Sequence, residues 1–374
     1  MPIGPAVPGL YTALVRPLIA RQRLGGNSSG WRQPNGFFFG RWRFRYYLAL
    51  AYLSYFRSFL RSPNQVIETW TNGRKLGRRV AVFVHFDPAG ELQRYLLPYL
   101  QALHDYGMDI VFVTNSGKLT DKAKAALQPL CAAILTRRNL GYDFGAMREG
   151  LRHAAATPES TDLLLVLNDS VYGPLTDLAP MLDRIDFTQA DAWGATESYQ
   201  NRYHLQSFFV AVRPKALASK GWHSFWRSVR PVRNKLWVIV NYEVGMTRAL
   251  LKYGLSCAAL YPYKDLVLRI DPSPLVKKDK DTPDETDPFV INRKTHLTHL
   301  LYAASHRVPM NPTAELWRQM MEVRFPFIKR ELLRDNPARV IDLVDWRDVA
   351  RAHYDIDFSA IAEDLQQVLR NKTP

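Results

Sequence analysis

The chain has 374 residues, 47% of them hydrophobic, enough to bury a large core. Its net charge of +15 is uneven: thirteen of the fifty Lys and Arg, but only Glu68 among the thirty-five acids, fall in residues 1–79, so that segment carries +12 and the rest +3. A basic excess confined to one end excludes a nucleic-acid surface spread over the molecule and points to an arm that meets something anionic. The two cysteines, Cys131 and Cys257, lie far apart in apolar segments and read as buried small hydrophobes in a reducing compartment, with no zinc-like spacing to the nine histidines.

Residues 1–30 carry neither a charged start ahead of an apolar stretch nor a small-residue cleavage site, and do not read as a signal peptide. The uncharged run 46–56 falls short of the roughly 20 residues of a spanning helix, and Arg41, Arg43, Arg45, Arg57 and Arg61 flank it. Such a helix either lies in the headgroup region of an anionic membrane or packs its aromatic face on the main domain.

From residue 79 the pattern alternates. Strands are expected at 79–86, 109–114, 132–136 and 162–167, with helices at 92–106, 121–130 and about 144–155. This alternation implies a parallel sheet with right-handed crossovers. Further strands are expected at 191–196, 205–212 and 256–260, the last following a helix at 243–253 that Gly254 stops. Residues 277–287 read as a charged, Pro-containing loop, and the chain from 292 as helices punctuated by Pro309, Pro312, Pro326 and Pro337.

Open α/β sheets bind ligands at the carboxyl ends of their strands. No GxGxxG follows the first strand and no GxxxxGK[ST] occurs, which removes most support for dinucleotide and P-loop chemistry. The ligand edge instead offers His85 and Asp87 in HFDP, Asn139, Tyr142 and Asp143 after the third strand, and Asn168, Asp169 and Ser170 after the fourth. Asp143 is also a favourable helix cap, and Asp169 with Ser170 a natural turn before Gly173 and Pro174.

The segments TRRNLGYDFGAMREGL, LLLVLNDSVYGPL, DAWGATES, SFFVAVRP, NPTAELW and FPFIKRELLRDNP resemble the rhamnan synthesis protein F family of bacterial polysaccharide glycosyltransferases, from about residue 80 to 336. The resemblance implies an α/β, GT-A-like nucleotide-sugar transferase fold, mainly a parallel sheet flanked by helices, with a basic N-terminal arm and a helical C-terminal extension. The expected division is 1–75 for the arm, 76–275 for the catalytic domain and 276–374 for a linker and helical region packing on it. It further implies transfer of a 6-deoxyhexose, L-rhamnose from dTDP-L-rhamnose, to a lipid-linked glycan of O-antigen or related polysaccharide. The protein would work in the cytoplasm, peripheral at the inner face of the bacterial inner membrane and held there by residues 1–70.

In that reading Asn168, Asp169 and Ser170 stand where GT-A enzymes carry two carboxylates around Mg²⁺ or Mn²⁺, and Asp169 is the metal ligand; hard oxygen donors suit such ions. His85, Asp87 and Asn139 join the donor site. Tyr142 stacks on the base, Asp143 accepts from ribose or base groups, and Arg148 meets the diphosphate unless it is simply a solvated helix residue. Glu243 is the first choice for the base that deprotonates the acceptor, followed by Glu197 and Asp191. Two rivals remain: a degenerate transferase that scaffolds an assembly complex, and, more distantly, a nucleic-acid-binding protein for which the arm lacks a motif.

Overall fold

The computed structural model describes residues 46, 49–62, 64–275 and 286–370. The expectations for residues 1–45, with Arg41, Arg43 and Arg45, and for most of the loop 277–287 lie outside the described residues. The core of the molecule is a nine-stranded sheet, and the reason is visible in its central strands. In β2 (Arg79–His85), β3 (Asp109–Thr114) and β5 (Leu163–Asn168) nearly every residue is apolar and buried. Alternate side chains therefore feed two cores: Ala81, Phe83, Ile110, Phe112, Leu165 and Leu167 on one face, Val82, Val84, Val111, Val113, Leu164 and Val166 on the other. A strand apolar on both sides is stable only when helices cover both, as in parallel α/β sheets.

The first face receives α1 (Leu97–Asp105) and, from far along the chain, α6 (Pro288–Ser305) and α7 (Ser359–Arg370). On the second face lie α3 (Tyr142–Ala154), α4 (Lys220–Ser228) and α5 (Val244–Lys252). The crossover between β3 and β4 (Cys131–Arg137) is α2 (Asp121–Leu127), whose cap Thr120 accepts from the Ala123 amide at 3.2 Å. The fold is thus α/β with a mainly parallel sheet flanked by helices, and the residues after 286 share its core.

Four antiparallel pairings in this sheet depart from the expected parallel order. β1 (Val66–Thr71) runs against β4 at one edge, so residues assigned above to the N-terminal arm belong to the sheet. β9 (Phe209–Val212) lies antiparallel between β5 and β7 (Ala192–Ser198), and β10 (Cys257–Tyr261) closes the far edge parallel to β7. The single strand expected at 205–212 is two: β8 (His204–Leu205) pairs with β7, and residues 206–208 leave the sheet before β9.

The helix over residues 49–58 docks one face on the segment leading into α5. Tyr55 stacks on Trp237 with ring centroids 4.4 Å apart, and the Arg230 guanidinium lies 4.4 Å from the centre of the Phe59 ring. The other face stays open, with Phe56 63% and Leu60 88% exposed. Among the described residues no helix is long and apolar enough to cross a membrane.

Candidate active site

Parallel register brings the ends of the central strands to one edge: His85 lies beside Thr114, and Val84 beside Asn168. Beyond Asn168 the chain turns and forms β6 (Val171–Tyr172), which pairs antiparallel with β11 (Ile328–Lys329), Lys329 opposite Val171. Gly173 permits this join, since its φ is +141° and a Cβ there would sit 2.4 Å from the Pro326 carbonyl oxygen. Two segments distant in sequence are thereby clamped across the sheet edge.

The clamp assembles a network of charges. The Asn168 amide Nδ2 donates to Asp143 Oδ2 at 3.0 Å, and Asn168 Oδ1 accepts from Ser170 Oγ at 2.5 Å and from the Ser170 amide at 3.1 Å. Lys329 Nζ donates to Ser170 Oγ at 2.8 Å. Arg330 Nη1 donates to the Asp169 carbonyl at 2.8 Å and lies 3.3 Å from Asp169 Oδ2, which also accepts from the Phe86 amide at 3.1 Å. Glu243, at the end of a π-helical segment (Val238–Glu243), accepts from Ser207 Oγ at 2.9 Å and the Ser207 amide at 3.2 Å.

Electrostatics tie these groups together. Burial pushes the Asp143 carboxyl up to about 6, with Asp169 and Glu243 adding to the rise while Lys329 and Lys235 oppose it. Burial lowers the Lys329 ammonium, and Glu243, Glu331, Asp143 and Asp169 hold it up. Although burial works against its charge, Arg330 is raised overall by Asp169, Tyr95 and Asp364. Beside Lys329 opens a cavity of about 300 Å³, walled by Gln200, Asn311, Glu331 and Leu332 among others. Glu331 is paired with Lys235 at 3.5 Å. Asn311 Oδ1 accepts from Gln206 at 3.3 Å and from Thr313, so the residues that leave the sheet between β8 and β9 reach this wall.

The structure thus brings together Asp143, Asn168, Asp169, Ser170 and Glu243 of the expected residues. Others go elsewhere. His85 is fully buried, its ring nitrogens 3.1 Å from Thr114 Oγ1 and 3.2 Å from Gln93 Oε1, and burial lowers its pKa. It braces the strand end and is withdrawn from a ligand. The Asp87 carboxylate is taken up by the amides of Ala89 and Glu91 and by Gln93 Nε2, which shapes the loop after β2. Asn139 is exposed in the turn before Gly141. Tyr142 holds the left-handed conformation, φ +51°, and is half-buried against the second core, so its ring is committed to packing.

Arg148 of α3 sits among Arg152, Glu149, Arg230 and Tyr242. Asp191 precedes β7 at the opposite edge of the sheet, where it accepts from the Ser256 amide at 3.0 Å and Ser256 Oγ at 3.1 Å. That position separates it from Asp143, Asp169 and Glu243. Glu197 ends β7 at the ligand edge but turns to the Tyr263 amide at 3.1 Å, and burial raises its pKa.

The metal expectation does not fit these residues. Asp169 is engaged by Arg330 and a backbone amide, and Asn168 offers its amide hydrogens to Asp143 while its oxygen is used by Ser170. Among the described residues no group of three or more His, Cys, Asp or Glu is arranged to hold an ion. Where a cation would be sought, the chain supplies Lys329 and Arg330. Both were passed over in the sequence, although a Lys-Arg pair directly behind the buried run Phe325, Phe327, Ile328 is the signal that marks them.

The sequence matches the rhamnan synthesis protein F family over residues 110–273. Virulence protein VirA of Vibrio anguillarum is 30% identical to it over 268 residues, which cover 70% of this chain and 79% of VirA. The chain belongs to the rhamnan synthesis protein F family. A second relative, uncharacterized protein y4gN of Sinorhizobium fredii, is 30% identical over 207 residues, and this family member spans 53% of its length. Glycosyltransferase GlyE of Streptococcus pneumoniae TIGR4 is similar at a TM-score of 0.36 and 12% identity, over 78% of this chain and 64% of GlyE. Mannosyltransferase PcManGT of Pyrobaculum calidifontis, solved with GDP-Man and Mn²⁺, is similar at 0.30 and 13%, over 86% and 88%. Structural likeness at that level carries no argument about chemistry. The family match includes Asp143, Asp169 and Glu243 and stops short of Lys329 and Arg330.

Proposed function

We propose that this protein is a GT-A-like glycosyltransferase that moves a 6-deoxyhexose, L-rhamnose from dTDP-L-rhamnose, onto a lipid-linked glycan in cell-surface polysaccharide or O-antigen synthesis. The reading is carried by the meeting of Asp143, Asp169 and Glu243 with Lys329 beside a cavity at the carboxyl edge of the sheet, in a chain of a rhamnan synthesis family. In the transfer, the bond from the sugar's anomeric carbon to the diphosphate oxygen breaks and its electron pair leaves with the nucleoside diphosphate. The acceptor hydroxyl oxygen forms the new bond, and its proton passes to Glu243.

Glu243 is preferred over Glu197 because it shares the electrostatic field of Asp143 and Lys329, whereas Glu197 is engaged by Tyr263. The test is a donor screen with purified protein, dTDP-L-rhamnose beside other nucleotide-6-deoxyhexoses. Transfer should fall by about 10²-fold or more in Glu243→Gln and Asp169→Ala. Full turnover in either variant refutes that residue's role. The amide at Asn168 favours a second reading, a degenerate transferase serving as a scaffold; folded protein that neither transfers nor hydrolyses any donor would sustain it.

The reading extends to an anionic membrane at the cytoplasmic face. Its support is the open face of helix 49–58, with exposed Phe56 and Leu60, set among Arg57, Arg61, Arg230 and Arg233. A lipid-linked acceptor would be met at that surface. Removing residues 1–62, which stops short of β1, should abolish sedimentation with anionic vesicles; retention by the truncated protein refutes the membrane role.

A further inference from the structure

We propose that Lys329, held by Ser170, binds the diphosphate of the donor in place of a divalent metal ion. The inference rests on the transferase reading and specifies how its donor site is charged.

Three observations carry it. First, Asp169, the residue placed to bind an ion, is already neutralised: Arg330 Nη1 lies 3.3 Å from its carboxylate and donates to its carbonyl at 2.8 Å. A carboxylate with a guanidinium on it is a poor ligand for a dication, because the ion would have to displace a charge-assisted bond and then sit beside a fixed positive charge. Second, Lys329 differs from Arg330 in what it faces. Its ammonium donates to the neutral Ser170 hydroxyl at 2.8 Å and lies 4.8 Å from the centre of the Phe208 ring, and its side chain forms part of the wall of the 300 Å³ cavity. An ammonium carries three donors, so one bond to Ser170 leaves it capacity for a ligand in the cavity that its side chain lines. Third, the cavity's own carboxylate, Glu331, is paired with Lys235 at 3.5 Å, which moderates its repulsion of an anion.

Burial lowers the pKa of the Lys329 ammonium, and the surrounding Asp143, Asp169, Glu243 and Glu331 favour its charged form against that cost. When the glycosidic bond to the diphosphate breaks, the electron pair and its negative charge appear on the oxygen nearest this cation, where a bound metal would otherwise compensate them. Ser170, fixed through Asn168 to Asp143, keeps the ammonium in place.

The experiment measures binding of dTDP, UDP and GDP by titration calorimetry to the full chain, in EDTA and in excess Mn²⁺ or Mg²⁺. At least one nucleoside diphosphate should bind in EDTA within about threefold of its affinity with metal. Lys329→Met should weaken that binding by about ten- to hundredfold, the loss of one contact to a charged group. The Met variant replaces a half-buried ammonium by an apolar chain of similar length, and its thermal melt checks that it folds. Binding that requires the metal overturns the inference and leaves the transferase reading standing, as does Lys329→Met binding equal to wild type in EDTA. Folded wild-type protein that binds none of the three under any condition overturns both.

Discussion

Replacing Asp143 by Asn should make the protein more stable at neutral and alkaline pH, and much less so in acid. Burial, with help from Asp169 and Glu243, takes this carboxyl from an ordinary 3.8 to about 6. A carboxyl whose pKa rises on folding supports the fold while protonated. Its contribution is complete below about 3.8 and is lost as the pH climbs through about 6. At about 1.4 kcal/mol for each pKa unit, ionised Asp143 costs about 3 kcal/mol at about pH 8 and about 1 kcal/mol at about pH 4.5. Its place in the first turn of α3 favours the anion by only about 0.5 kcal/mol, too little to reverse the sign. Asparagine keeps an oxygen to accept the Asn168 amide, now 3.0 Å from Asp143 Oδ2, so the change removes charge with little loss of bonding. Urea unfolding of both proteins at about pH 4.5 and about pH 8, compared at a common m value, measures the effect. A variant less stable than wild type at the higher pH, or a gain of equal size at both, refutes the reasoning.

Gly173→Ala should destabilise the protein by about 2–4 kcal/mol and disturb the β6–β11 pairing, because φ is +141° and the new methyl would meet the Pro326 carbonyl at 2.4 Å; denaturant midpoints and diphosphate binding measure the two effects, and an unchanged midpoint counts against the clamp. Glu149→Gln should cost about 3–5 kcal/mol, since it strands the fully buried Arg137 guanidinium, whose Nε lies 2.5 Å from Glu149 Oε2. Combined with Arg137→Met it should recover part of that loss, and a double variant no better than the single one would refute the charge argument. Trp237→Ala removes the surface on which Tyr55 stacks, so proteolytic cleavage around residues 49–62 should quicken while the melting of the sheet changes little; equal cleavage in both proteins would show that the stack is not what holds the helix.

The central strands were legible because an apolar run on both faces has one stable solution, and for the same reason the polar residues where those runs stop, Asn168, Asp169 and the turn before Asp143, announced the ligand edge. β1 escaped notice because an edge strand buries little: VIETWT, in a basic neighbourhood, shows no deep apolar pattern. The break within 205–212 was hidden because Gln206 and Ser207 leave the sheet for partners at Asn311 and Glu243, which no local pattern records. Lys329 and Arg330 were hardest to place. β11 is two residues long and is defined only by its pairing with β6, so nothing nearby in sequence assigns these cations to Asp169 and Ser170. Charges that look sufficient in one dimension, a lone aspartate after a strand, acquire their counter-charge in three.

That pairing also sets an order of events. Arg330 follows Asp169 by 161 positions, so during synthesis the sheet and its edge carboxylates leave the ribosome well before the cations that balance them. Until the late segment docks, the growing chain holds crowded acids without their counter-charges. The charge network is then completed in one step, with the closing of β11 on β6, and a prematurely ended chain lacking that segment would lack both those charge partners and the cover of α7 on the first face of the sheet.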